Sequence, residues 1–199
     1  MDIPFSIQQK FMDFIKGDIR AADFEKWIYK QPELESLMGE EKYVELLSLN
    51  FQQKRESESA KRMLRQCIDF GAFETHRILN LVQEIRENSK SCQPNLKDTY
   101  HLYGSGYNFL DNLGIGYGLK LVVPYEFGVD EWEELIEQKR EEIVNGFYPQ
   151  LAEEAEKVIN WIRTGKVKLS GKKNERGHWE FIDKRTEAER KATAYRKKE

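Results

Sequence analysis

Tyr103-Gly104-Ser105-Gly106-Tyr107-Asn108-Phe109-Leu110-Asp111-Asn112-Leu113-Gly114-Ile115-Gly116-Tyr117-Gly118-Leu119-Lys120-Leu121-Val122-Val123 is the one stretch of this chain that does not read as ordinary amphipathic helix. Five glycines fall among aromatics and a single carboxylate. Glycine costs backbone entropy and brings no side chain to pack, so a cluster belongs where backbone bends, meets another segment closely, or approaches a ligand. Two readings follow. In one, the glycines let helices pack closely around a turn. In the other, Gly104, Ser105, Gly106, Asn108 and Asp111 form a ligand site, with backbone N–H groups cradling a phosphate. The second lacks its usual companions. There is no Gly-Lys-Ser/Thr ending, and Gly104-Ser105-Gly106 has no third glycine three residues on and no convincing strand before it. Packing is the favoured reading.

Outward from this centre the pattern is helical. Phe11, Phe14 and Ile15 share a helix face that Gly17 ends; Phe24, Trp27 and Ile28 make a second, stopping before Pro32. Leu34, Leu37 and Met38, then Tyr43, Leu46 and Leu47, make two more. Helices this short are not stable alone, so they must cluster through their aromatics. Residues 52–59 are polar and predict a linker, with Ser57 or Ser59 as the next cap. Ala60, Met63, Leu64, Cys67 and Ile68 form a stripe, followed by Thr75, Ile78, Leu79, Val82 and Ile85. Asn88 to Asn95 is the clearest break, giving an N-terminal helical subdomain over 1–88 and a second part over 96–199, unless the break merely joins two helices of one continuous domain.

Beyond Pro124, Asp130 caps an expected helix from Glu131, with Trp132, Leu135, Ile136, Ile143 and Val144 facing the core. Asn145-Gly146 interrupts, and Pro149 opens another helix bearing Leu151, Ala155, Val158, Ile159 and Ile162. Val167 and Leu169, then Trp179 and Phe181, alternate with polar residues around a glycine-bearing turn, which predicts a β-hairpin. From Arg185 onward the chain is polar, a frayed helix or a tail. The fold class is mainly α: a multi-helix bundle with a small C-terminal β-hairpin.

The net charge of −3 conceals a strong separation. Residues 126–156 hold eleven acidic side chains against two basic ones, and residues 161–199 hold thirteen basic against six acidic. Such asymmetry bears on partners. Glu131, Glu133, Glu134, Glu137, Glu141 and Glu142 crowd like charges together, which weakens a helix slightly and makes a candidate docking face for a basic partner. The competing reading is a solvated acidic face. The basic hairpin with Trp179 is a candidate for nucleic acid, against which the overall pI of 5.8 weighs. His76, His101, Cys67 and Cys92 stand at no metal-ligand spacing, and no nucleophile has a base beside it, so no metal or cofactor is expected; a small nucleotide- or phosphate-ligand-binding enzyme using the stretch 103–118 is the alternative to a non-catalytic protein. The opening residues carry no secretory pattern and no apolar run reaches membrane-spanning length, which predicts a cytoplasmic protein with reduced thiols.

Asp23-Phe24-Glu25-Lys26-Trp27-Ile28-Tyr29, followed by Leu34, Leu37, Gly39, Tyr43 and Leu46, resembles the start of small bacterial helical immunity proteins of polymorphic or contact-dependent toxin systems. The likeness covers the first quarter of the chain, mostly at core positions. It implies a non-catalytic protein that binds one cognate toxin domain and blocks its active site. It transfers no functional residue. A toxin nuclease domain is basic around its cleft, which the acidic face complements.

Overall fold

The computed structural model describes residues 3–193; residues 1–2 and 194–199, the end of the basic tail, lie outside the described residues. The chain adopts the expected class, helices with one antiparallel hairpin near the C-terminus. It divides into two compact units, Met1–Asp69 and Phe70–Glu199. The break at Asn88–Asn95 lies within the second unit, where residues 87–91 form the turn between two helices that pack on each other.

The first unit contains α1 (Phe5–Lys16), α2 (Ala21–Ile28), α3 (Glu33–Met38), α4 (Glu40–Ser48) and α5 (Lys54–Arg65). Phe14 and Phe24 stack with centroids 4.2 Å apart, and Phe51 meets both edge-on. These rings are almost wholly removed from water, with Leu34, Leu46 and Leu64 around them. The predicted linker over 52–59 is short. Phe51 is anchored in the core, α5 starts at Lys54, and Ser59 hydroxyl donates back to the Arg55 carbonyl instead of capping. Polarity there marks an exposed helix face. Gln8 closes the unit: its amide donates to the Ile3 carbonyl at 2.6 Å and accepts the Asp69 N–H at 2.7 Å.

The second unit is built on α6 (Phe70–Arg86), which packs on α7 (Cys92–Gly104), α11 (Gln150–Arg163) and strand β1 (Val167–Lys173). Strand β2 (Trp179–Asp183) pairs antiparallel with β1, placing Leu169 opposite Phe181. A buried polar link fastens the centre. Tyr107, wholly buried, donates its hydroxyl to Glu74 at 2.9 Å, and Arg77 grips the same carboxylate with two N–H groups. Tyr107 also stacks on Trp179, joining the glycine-rich segment to the hairpin.

The glycine-rich segment is a nearly continuous rod. A 3-10 turn (Asn108–Leu110) leads into α8 (Asp111–Leu113), a π-helical turn (Gly114–Gly118) and α9 (Leu119–Val122). The rod lies against α7 so closely that a Cβ on Gly114 would stand 2.8 Å from the Thr99 carbonyl oxygen, and one on Gly118 would overlap the Leu96 carbonyl oxygen. Both obstacles are backbone and cannot swing aside. Among the described residues no helix is long and apolar enough to cross a membrane.

Gly118→Ala should therefore destabilise the protein by about 1–3 kcal/mol or more through overpacking. Gly104→Ala, where nothing lies within 4 Å of the added carbon, should stay within about 0.5 kcal/mol of the wild type. Urea unfolding of the two variants checks the contrast.

Candidate partner-binding face

The crowded glutamates do not form one helix. Glu131–Glu134 is a single 3-10 turn closed by a reciprocal capping box, in which Glu131 accepts from the Glu134 N–H and Glu134 accepts from the Glu131 N–H. Leu135 and Ile136 are extended, and α10 (Glu137–Asn145) begins only after them. The expected core position of Ile136 is consequently overturned: it is 71% exposed. The extended dipeptide breaks the 3.6-residue phase that had placed Ile136 beside Trp132. Trp132 does face inward, and its indole N–H donates to the Gln93 side chain at 3.0 Å.

The six glutamates then differ. Glu133 pairs with Lys97 at 2.6 Å, which holds its carboxyl below the usual range, and Glu142 pairs with Lys139 at 3.0 Å. Glu131 and Glu134 spend hydrogen bonds on their own turn. Glu137 and Glu141, one helical turn apart and exposed, have no ion-pair partner among the described residues. Together with Asn88, Ser89, Lys90 and Gln93 they border a polar cleft of about 430 Å³ between the α6–α7 turn and α10. Asn88, in the left-handed region at φ 50°, donates its amide to the Asn145 side chain at 2.8 Å and fixes one end of that cleft. The sequence contained the glutamates but no trace of the cleft, whose walls lie some fifty residues apart in the chain.

The alternative ligand residues sit elsewhere. Gly104, Ser105 and Gly106 lie at the C-terminal end of α7, where the helix presents carbonyl groups and negative partial charge. The Ser105 carbonyl accepts the Trp179 N–H at 2.8 Å, and Gly106, at φ 117°, rests its α-carbon on the hairpin backbone. A phosphate would meet the wrong end of the dipole, at a turn already closed by the hairpin. Asn108 begins the 3-10 turn and Asp111 begins α8.

Asp111 is the chemically unusual member. Burial pushes its carboxyl up to about 6; the Glu154 charge adds to this, while the Asn112 N–H and Arg185 oppose it. Glu154 is held by the Asn112 amide at 2.8 Å and by Lys157 at 2.6 Å. Tyr117 is raised as well, by burial and then by Glu154 and Glu153. A buried carboxyl with a raised pKa also occurs in acid–base catalysis. Here Glu154 is spent tying the rod to α11, and the cluster reads as a joint between those elements. Among the described residues no three His, Cys, Asp or Glu side chains are placed to hold a metal ion. Compared with known proteins, the chain matches no family model, no curated protein and no solved structure.

A carboxyl whose folded pKa is raised favours the folded state while protonated and loses that contribution as pH rises from about 4 to about 6. Asp111→Asn removes the penalty. It should stabilise the protein at pH 7.5 by up to about 3 kcal/mol and leave stability near pH 4 unchanged, as measured by thermal unfolding across that range. An equal shift at both pH values would contradict the assignment.

Proposed function

We propose that this protein is a non-catalytic, immunity-type binder that neutralises one cognate toxin domain by docking its exposed acidic face against a basic surface. The observation that carries the reading is the pair Glu137 and Glu141: exposed, four residues apart on one helix, without an ion-pair partner among the described residues, and bordering an open cleft. Like charges at that spacing cost a helix a few tenths of a kcal/mol, which a basic partner would convert into attraction. Ile136, largely exposed directly before them, adds an apolar anchor inside a charged surround. Interfaces draw their affinity from such central side chains and their association rate from the charges around them. The likeness of residues 23–46 to immunity proteins supports the same class of partner. Occupying the substrate cleft of a basic enzyme needs no chemistry from this chain.

Glu137→Lys with Glu141→Lys should slow association with the cognate toxin domain by about 10-fold or more at low salt, and flatten the salt dependence of the rate. The melting temperature should be unchanged or slightly raised. Ile136→Ala should act mainly on dissociation. Stopped-flow association and surface plasmon resonance measure both effects; an unaltered association rate for the charge-reversed variant would remove the acidic face from the mechanism.

A further inference from the structure

The hairpin is a candidate surface apart from the acidic face, and its argument does not rest on the toxin reading. Its base is immobilised. Val167 and Leu169 are buried, and Gly171, at φ 66°, is pressed against the Phe70 backbone so closely that no side chain would fit. On the other strand Trp179 donates its N–H to Ser105 and stacks on Tyr107. Beyond this base every residue from Lys172 to His178 is exposed. The tip is nevertheless ordered by its own bonds. The Asn174 side chain accepts the N–H groups of Arg176 and His178, each at 3.0 Å, and Asn174 N–H donates to the His178 carbonyl at 2.8 Å.

That rigid ribbon carries cations outward. Lys172 and Arg176 at the tip, and Lys168 and Lys184 nearer the base, are exposed and have no ion-pair partner among the described residues. Lys173 lies 4.7 Å from the Trp179 ring centroid, over its face. Of the acids, Asp183 is occupied by Arg185, leaving Glu175 and Glu180. Tyr107 and Lys173 already engage the Trp179 ring, so stacking of an unpaired base has no ready platform. The surface offers phosphate neutralisation on a two-stranded ribbon, a shape that the major groove of duplex DNA admits.

We propose that the hairpin binds the phosphate backbone of duplex DNA without sequence preference, with its tip entering the major groove. The test uses the full chain and a short fluorescein-labelled DNA duplex of mixed sequence, followed by anisotropy between about 50 and 200 mM salt. Wild type should bind at the low end. Lys172→Glu/Lys173→Glu/Arg176→Glu should lose at least about 10-fold in affinity and lower the slope of log K against log salt by about 3, one for each phosphate contact removed. Lys168→Glu/Lys184→Glu, which leaves the tip intact, should lower it by about 2. Retained melting temperatures show that the variants fold. Absence of duplex binding by the wild type overturns the proposal, as does affinity unchanged in both variants. Tighter hairpin-dependent binding to phosphatidylserine vesicles or to polyglutamate than to the duplex also overturns it.

Discussion

The contact on which the second unit depends is the approach of the π-helical turn to α7 at Gly114 and Gly118, where backbone meets backbone. Helices bearing ordinary side chains keep their axes some 8–10 Å apart; removing Cβ at the crossing lets them come closer. Hydrophobic burial then proceeds from both ends of the contact. Leu96 and Leu102 of α7 join Leu113 and Leu121 of the rod in one core with Ile78, Val82 and Ile85 of α6. The buried Glu74–Tyr107 link and the Tyr107–Trp179 stack extend this order to the hairpin. A buried carboxylate without its partners would cost several kcal/mol, so that link specifies one arrangement rather than merely strengthening it.

The same helix positions the proposed docking face. The N-terminal half of α7 supplies Gln93 to Trp132 and Lys97 to Glu133, fixing the turn that precedes α10. With that turn fixed, Ile136 points to solvent, and Glu137 and Glu141 stand across a cleft from the α6–α7 turn. Internal pairing thus consumes Glu133 and Glu142 and leaves a smaller set of charges for a partner. Neither sign of charge is neutralised locally as a whole. Among the described residues no ion pair joins the acidic residues of 126–156 to the cations of the hairpin.

Much of the helical order was legible because apolar periodicity reports which face is buried, and the hairpin because Val167, Leu169, Trp179 and Phe181 alternate around a glycine-bearing turn. Three features were not legible, each for a physical reason. The division between Asp69 and Phe70 has no proline or long polar run; Gly71 stands beside it, but Ile68 and Phe70 keep the apolar pattern going across it. The exposure of Ile136 follows from two extended residues that carry no breaker. The coupling of Asp111 to Glu154 joins positions about forty residues apart, a relation that only folding creates. Composition revealed the charge separation; geometry decided which charges were already paired.

Amide hydrogen exchange of the protein alone and mixed with the toxin domain proposed as its partner tests the central claim most directly, because it maps the proposed docking face without altering it. The account predicts new protection concentrated in residues 131–145 and in the facing turn at 88–93. Protection confined to residues 104–118 or to the hairpin, with 131–145 unchanged, would contradict it.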